Sequence, residues 1–244
     1  METDRNELGQ PIGPALRGWR PPDAPSAAPM VGRYCRLERL DPERHGAALF
    51  AANAGDTDQR MWTYLSYGPF ATRAVYDEWL RTMAAQTDPL FFAIVDSARG
   101  SATGLAAYLR ITPPHGTIEI GHLAFSPLLQ RTVAATEALY LMMAAAFAQG
   151  YRRCEWKCDA LNAPSRRAAE RLGFTFEGIF RQAVVYRARS RDTAWFSVID
   201  REWPALNAVF QQWLDQANFD PAGRQKRRLS DLTAALRPPS ATGL

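Results

Sequence analysis

The sequence has 244 residues, of which 47% are hydrophobic, enough to bury the core of one large domain. It holds no run of about 18 apolar residues, so a transmembrane helix is excluded. The polar segment METDRNELGQPIGP lacks the apolar stretch of a secretory signal, so a cytoplasmic protein without membrane contact is expected. The net charge of +4 is modest, and its dispersed Arg residues do not favour a nucleic-acid binder.

The N-terminal part of the chain predicts an arm, a strand and a helix. Residues 1–32 are rich in Pro, Gly and Arg without periodicity, which predicts an extended arm held by Trp19. A first strand is predicted over residues 34–40. Asp41 then acts as the N-cap of a helix over residues 42–53, with Pro at its first position.

The central part predicts a second helix and a meander of strands. Apolar side chains at helical spacing indicate a helix over residues 72–86, preceded by an aromatic loop at residues 61–70. This loop either fills the core or walls a substrate site. Short β-type runs joined by turns then predict an antiparallel meander, at residues 90–96, 102–111 and 116–125.

The last part predicts alternating helices and strands. Gly150 and Gly173 end two of the helices, and Asn162 is the N-cap of the second. Two strands form a hairpin across residues 188–192, and the tail after Asp220 is expected to be loose. The predicted helices lie at residues 130–149, 162–172 and 204–216, and the predicted strands at residues 152–159, 174–187 and 193–200.

The cysteines give no sign of a disulfide or a metal site. The number of cysteines is odd, which fits a reducing compartment; they are Cys35, Cys154 and Cys158. Cys154 and Cys158 lie too far apart along one strand for an easy bridge. Zinc is not favoured, because no second Cys or His pair lies nearby, and no metal is expected.

Three segments resemble the GNAT superfamily of acetyl-CoA-dependent N-acetyltransferases, and most closely its RimJ/RimL-type branch. They are EIGHLAFSP (residues 119–127), QRTVAATEA (residues 130–138) and NAPSRRAAERLGF (residues 162–174). The resemblance implies an α/β (α+β) fold, a mostly antiparallel seven-stranded sheet splayed in the middle with helices on both faces. It also implies an acyltransferase domain at residues 33–202, between the arm and a C-terminal helix with a loose basic tail at residues 203–244.

The resemblance implies that acetyl-CoA is the co-substrate. A helix N-terminus offers free N–H groups and partial positive charge to a pyrophosphate. The family loop reads Q/R-x-x-G-x-G/A, and Val133 stands where Gly is usual, while Arg131 can add a charge-assisted bond. The alternative is a core helix with an ordinary polar start. The cofactor-binding residues expected here are Gln130, Arg131, Thr132, Val133, Ala134 and Ala135.

Further cofactor contacts are implied on the preceding strand and on the later helix. The backbone of Leu123, Ala124 and Phe125 would bond to pantetheine in the gap between splayed strands. An N–H of Leu123 or Ala124 would donate to the oxyanion. The amide of Asn162 would hold a pantetheine amide, although plain N-capping also explains this residue.

Three residues are candidates for catalysis. Glu119 resembles the general base of the histone-acetylating branch, the alternative being a surface carboxylate paired with Arg. His122 is the other candidate base, but in a regular strand it faces away from Glu119 unless a bulge intervenes. Ser165 is expected to protonate the leaving thiolate, or else to be an ordinary first-turn serine.

The acceptor is expected to be a protein N-terminal or other α-amine, with a small-molecule amine such as an antibiotic or polyamine as the alternative. A catalytically silent CoA-binding module on the same fold is a further alternative. A homodimer is left open. The wall of the acceptor site is expected to come from the aromatic loop and the hairpin, with core packing as the alternative for each residue: Trp62, Tyr64, Tyr67, Tyr186, Arg191 and Asp192.

Overall fold

The computed structural model describes residues 3–236. Its strands are β1 (Asp4–Arg5), β2 (Pro11–Ile12), β3 (Met30–Val31), β4 (Cys35–Arg39), β5 (Leu90–Asp96), β6 (Ser101–Thr112), β7 (Thr117–Phe125), β8 (Arg153–Asp159), β9 (Thr175–Tyr186) and β10 (Arg189–Ile199). Its helices are α1 (Pro42–Asn53), α2 (Arg73–Ala84), α3 (Val133–Ala148), α4 (Ala163–Arg171), α5 (Trp203–Leu214) and α6 (Leu229–Ala234).

One large sheet organises the molecule, in the order β3-β4-β5-β6-β7-β8-β10-β9. Neighbouring strands are antiparallel except β7 and β8, which run parallel. Helices α3 and α5 pack into the core on one face, while α1 and α2 cover the other. The mixed, mostly antiparallel fold predicted from the sequence is confirmed, and the seven predicted strands are all present.

The arm does more than predicted, because it contributes an eighth strand to the sheet. Met30 and Val31 pair with β4, and β1 pairs with β2 in a separate two-stranded hairpin. The guanidinium of Arg152 lies 5.6 Å from the centre of the Trp19 ring, so Trp19 does contact the domain. The division of the chain after residues 32 and 202 stays a prediction.

Helix α3 begins three residues later than predicted. Arg131 has a left-handed backbone with φ of 63°, which a helix cannot include. The Thr132 hydroxyl then accepts a hydrogen bond from the Ala135 N–H at 3.1 Å and acts as the N-cap. Gln130 and Arg131 therefore precede the helix.

The β9–β10 hairpin is tighter than predicted. Tyr186 pairs with Arg189, so only Arg187 and Ala188 form the turn, both with positive φ as a two-residue hairpin turn requires. Arg191 and Asp192 consequently lie within β10. Successive strand residues face opposite sides, so these two side chains point away from each other.

The C-terminal region differs from the loose tail expected after Asp220. Helix α6 places Leu229 and Leu232 in the core, next to Trp213 of α5. Residues 237–244 of the predicted tail lie outside the described residues. Cys35, Cys154 and Cys158 are buried free thiols, and within residues 3–236 no helix has the length and apolarity that crossing a membrane requires.

A buried carboxylate joins the arm to α3. Glu137 is 4% exposed and accepts hydrogen bonds from the backbone N–H groups of Arg33, Tyr34 and Cys35, at 2.8, 2.6 and 2.8 Å. A Cβ on Gly32 would lie 2.4 Å from the Glu137 carboxyl carbon, so a larger residue there would displace this carboxylate. Glu137 therefore fixes where the arm ends and the sheet begins.

Replacing Glu137 with Ala should lower the free energy of unfolding by about 2–4 kcal/mol, because one buried and two partly buried N–H groups lose a charged acceptor. Urea unfolding measures this change. Glu78→Gln, on the exposed surface of α2, is the matched control and should change stability by under about 0.5 kcal/mol. Equal effects of the two substitutions would contradict the role of Glu137.

Candidate active site

The site is built around the point where β7 and β8 separate. The two strands pair over only three residues, from Thr117 opposite Arg153 to Glu119 opposite Glu155. Beyond Glu119, β7 continues to Phe125 beside β6, while β8 continues beside β10. The sheet therefore opens into a gap whose apex is the pair Glu119 and Glu155.

Lys157 holds the two carboxylates at the apex together. Its ammonium lies 3.1 Å from Glu119 Oε2 and 2.7 Å from Glu155 Oε2, and its side chain is 7% exposed. The same ammonium lies 3.7 Å from the centre of the Trp195 ring. Arg110 makes a second ion pair with Glu119 at 2.7 Å. Glu119 is thus a buried, paired carboxylate.

The two glutamates titrate differently. Burial raises the pKa of Glu119 above its usual value, against the opposing charges of Arg110 and Lys157. Burial also acts to raise the pKa of Glu155, but hydrogen bonds from Lys157 and Arg153 outweigh it, and the pKa is lowered. Glu119 has the higher pKa and is therefore the stronger base of the pair.

A β-bulge brings His122 to the same face as Glu119, so the face expected for a regular strand is wrong. Gly121 pairs with Ala107 and Ala124 with Leu105, and His122 takes a φ of 50° between them. The His122 ring stacks on Tyr67 with centroids 5.7 Å apart. Burial, aided by the charge of Arg110, lowers the pKa of His122 to about 4, so the ring is neutral at pH 7.

The start of α3 has the features expected of a phosphate cradle. Val133 and Ala134 occupy the first helical positions, so their N–H groups have no intrahelical acceptor. The N–H of Ala135, by contrast, is capped by Thr132. The amide of Gln130 donates to the Phe125 carbonyl at 2.7 Å, so one of its two N–H donors is already used.

The strand before α3 presents two kinds of surface. Leu123 and Phe125 pack against the core under α3, while Ala124 lies in the core under α1 and α2. Their side chains are thus engaged in packing, which leaves the backbone along the gap as the group that a ligand can reach.

Helix α4 places Asn162 and Ser165 beside β8. Asn162 Oδ1 caps the helix by accepting the Ser165 N–H at 3.1 Å, which leaves its amide nitrogen as a donor. The Ser165 Oγ accepts the indole N–H of Trp156 at 3.0 Å. Burial raises the pKa of the Cys158 thiol, and a hydrogen bond with Ser165 opposes that rise.

The aromatic loop and the hairpin meet across the other side of the gap. Arg187, in the hairpin turn, donates to the Tyr67 carbonyl at 2.8 Å and to the Gly68 carbonyl. Tyr64 donates from its hydroxyl to the Leu161 carbonyl at 3.2 Å. These contacts join the two predicted walls into one cleft.

The predicted wall residues have different surroundings. Tyr186 donates to Asp159 at 2.9 Å, and Arg191 lies over the Tyr186 ring, 5.9 Å from its centre. Trp62 is 5% exposed and packs on Phe70, as expected of a core residue. The exposed Asp192 accepts the N–H of Gln182 at 2.7 Å.

Several residues of the site escaped the sequence analysis. Lys157 and Trp195 lie on the neighbouring strands β8 and β10, Arg110 lies near the end of β6, and Arg187 lies in the turn between β9 and β10. One sequence feature did mark Lys157. It is a lysine in a chain whose basic residues are mostly Arg, and it lies between two cysteines of the same strand. Apart from the bond between Lys157 and Glu155, two residues apart, their contacts join different strands or loops, so no local pattern marks them.

The comparisons agree with this geometry. Residues 35–175 match the model of the acetyltransferase (GNAT) domain. The chain belongs to the GNAT acetyltransferase family. This membership, together with similar solved structures that are named acetyltransferases, makes it an acetyl-CoA-dependent acyltransferase.

Solved structures of other GNAT proteins are similar to it. A GCN5-related N-acetyltransferase from Brucella melitensis shares 49% identity, with 90% of this chain and 100% of that chain covered and a TM-score of 0.88. A probable GNAT acetyltransferase from Chromobacterium violaceum shares 45% identity, with 80% and 98% covered and a TM-score of 0.75.

A more distant neighbour shares the fold alone. It is a Salmonella typhimurium acetyltransferase that modifies the N-terminal serine of ribosomal protein L7/L12, at 18% identity with 70% and 99% covered and a TM-score of 0.61. None of the curated proteins compared matches the chain. Residues 3–236 contain no group of three or more His, Cys, Asp or Glu placed to hold a metal ion.

Replacing Lys157 with Met should lower the free energy of unfolding by about 3–5 kcal/mol at pH 7, because two buried carboxylates lose their shared cation. The loss should be smaller at pH 5. Removal of the ammonium raises the folded-state pKa of Glu119 further, and the repulsion disappears as the pH falls through that value.

Urea unfolding at the two pH values tests this prediction. The double variant Lys157→Met/Glu119→Gln is the control, and it should recover part of the lost stability because only one carboxylate remains at the apex. Additive losses that do not change with pH would contradict the ion-pair explanation.

Proposed function

We propose that this GNAT protein transfers the acetyl group of acetyl-CoA to a primary α-amine, by direct attack in a ternary complex. The acceptor amine belongs either to a protein N-terminus, as in the RimJ/RimL-type branch, or to a small molecule. The observation that carries the proposal is the position of Glu119, a buried carboxylate with a raised pKa at the apex of the strand gap.

The residues present fit acetyl-CoA. The free N–H groups of Val133 and Ala134 suit a pyrophosphate, and the exposed Arg131 beside them suits its charge. The backbone of Leu123, Ala124 and Phe125 borders the gap that pantetheine would occupy. When bound there, acetyl-CoA supplies a thioester whose carbonyl carbon is open to attack.

Glu119 would act as the general base. An amine must be neutral to attack, and a carboxylate on the acceptor face can take its proton directly or through one water. The nitrogen lone pair forms the new C–N bond as the C–S bond breaks, and the amine proton ends on Glu119. His122 shares this face, but its low pKa makes it a weaker base, so we assign it to positioning through its stack on Tyr67.

Ser165 would donate to the leaving thiolate. Its oxygen accepts from Trp156, and its hydroxyl proton, which also lies within reach of the Cys158 sulfur, would turn to the thiolate. A backbone N–H of Leu123 or Ala124 would stabilise the oxyanion. Asn162 can bond to pantetheine while it caps α4, since the two roles use different atoms of its amide.

Cofactor binding can be tested by thermal unfolding. A ligand at about 100 times its dissociation constant adds roughly 2.7 kcal/mol, a shift of several degrees at this size. Acetyl-CoA and CoA should both raise the melting temperature, whereas ATP should not. Arg131→Gln should weaken acetyl-CoA binding about tenfold, and Arg99→Gln in a remote exposed turn should not. Absence of any shift would refute the cofactor site.

The role of Glu119 can be tested by kinetics. Glu119→Gln should lower kcat by about 10²- to 10⁴-fold while it keeps the acetyl-CoA melting shift. In the wild type, activity should fall as the pH drops through the raised pKa of Glu119, because the protonated carboxyl accepts no proton. This acidic limb should be lost in the variant. Glu78→Gln is the control, and a Glu119→Gln enzyme with near-normal kcat would refute the assignment.

A further inference from the structure

A cavity lies at the end of the sheet opposite the gap. Its volume is about 240 Å³, and it is lined where β7 and β8 begin and where β10 ends. The gap opens beyond Glu119, at the other end of the β7–β8 pair, so this cavity is separate from the candidate active site. Within residues 3–236, its polar lining consists of three arginines, one histidine, one threonine and one carboxylate: Arg152, Arg153, Arg201, His115, Thr117 and Asp200.

Backbone hydrogen bonds fix the chain beneath the cavity. The Gly116 carbonyl accepts from the N–H groups of Arg152 and Arg153, at 2.8 and 3.1 Å. The Arg152 carbonyl in turn accepts from the Asp200 N–H at 2.8 Å. The segments at the starts of β7 and β8 and at the end of β10 are thus tied together, so the side chains of the cavity project from a rigid frame.

The N-terminal arm supports one of the arginines. A Cβ on Gly116 would lie 2.8 Å from the Trp19 ring and 3.2 Å from the Arg152 side chain. The Arg152 guanidinium lies 5.6 Å from the centre of the same ring. Arg152 is therefore packed against Gly116 and Trp19, which restricts the positions of its guanidinium and lowers the entropy cost of binding a ligand.

One of the three arginines is already neutralised. The Arg153 guanidinium lies 2.7 Å from Glu155 Oε1 and also pairs with Glu177. Neither glutamate lines the cavity. Arg153 therefore forms one side of the cavity without adding a free charge to it.

The other two arginines keep their charge available. In the described part of the chain, neither Arg152 nor Arg201 forms an ion pair, although Asp200 lines the same cavity. Asp200 Oδ1 instead accepts the backbone N–H of Arg201 at 2.8 Å. Glu202 accepts the Ile199 N–H at 3.1 Å and is not part of the lining. The cavity thus holds two unpaired guanidinium groups against one carboxylate.

The donors and the size of the cavity favour a small ligand that carries a phosphate. A guanidinium group presents two parallel N–H donors that match phosphate oxygens, and it keeps its charge at any physiological pH. The Thr117 hydroxyl can donate a further hydrogen bond. The volume is below the roughly 300–1,000 Å³ of sites for drug-sized ligands, so the cavity suits a molecule smaller than a nucleotide.

We propose that this cavity binds the phosphate group of a small phosphate monoester, held by Arg152 and Arg201 together with the Thr117 hydroxyl. The site does not depend on acetyl transfer, because none of its residues belongs to the cofactor or acceptor groups assigned above. Its ligand and acetyl-CoA can therefore be bound at the same time.

Titration calorimetry on the full chain tests this site, with inorganic phosphate and glycerol 3-phosphate as probes and with or without saturating CoA. We expect one site with a dissociation constant in the millimolar range for both probes, and the same constants when CoA is bound. Sodium chloride at equal ionic strength is the control. Displacement of the probes by CoA would place the anion at the start of α3 and overturn the proposal.

Four variants locate the binding site. Arg201→Gln removes an exposed side chain that pairs with no other described residue, so the fold should be unaffected. It should weaken binding of both probes by about 10- to 100-fold, the effect of losing a charged hydrogen-bonding group, and Arg152→Gln should act similarly. Asp200→Asn should instead tighten binding by about three- to fivefold, since a like charge leaves the lining. Arg99→Gln, in the exposed turn between β5 and β6, should change neither constant.

Two further results would overturn the site. One is no binding of either probe to the wild type at tens of millimolar, and the other is equal constants in the wild type and both arginine variants of the cavity. Either result leaves acetyl transfer standing, because acetyl-CoA binding and turnover are measured separately. Phosphate binding that persists without any acetyl-CoA melting shift would refute the proposed function and support this site.

Discussion

The site depends on one lysine between two glutamates. Glu119 and Glu155 face each other on parallel strands, an arrangement that like charges oppose unless a cation lies between them. Lys157 supplies that cation. It lies two residues after Glu155 on β8 and faces the same side of the sheet, so the strands can meet at the apex and separate immediately after it. The gap between the strands and the buried carboxylate at its apex thus come from a single arrangement of charges.

The elements of the fold were largely readable from the sequence because their signals are local. Asp41 before Pro42, Asn162 at the start of α4 and the period-two strands each act within a few residues. The eighth strand and α6 were missed because packing stabilises them. Met30–Val31 is too short to show a sequence pattern, and the burial of Leu229 depends on a core formed by residues distant in sequence.

The site was readable in part. The segments that resemble GNAT motifs pointed to Glu119, Ser165 and the start of α3, whose roles stay predictions, but period-two reasoning put His122 on the wrong face. A bulge is a change of register between two strands, so it depends on the partner strand as much as on Gly121 and His122 themselves. Lys157 and Arg187 were missed for a similar reason, because their partners are set by the sheet order.

The valine at the start of α3 is less disruptive than the family pattern implies. Val133 is the first residue of the helix and has an ordinary helical backbone, so no left-handed conformation requires glycine there. The residue with positive φ is Arg131, two positions earlier, and its side chain is exposed. Valine keeps its N–H and adds only bulk. The backbone amides of Val133 and Ala134 therefore remain free of intrahelical acceptors, whichever side chain stands at the first position of α3.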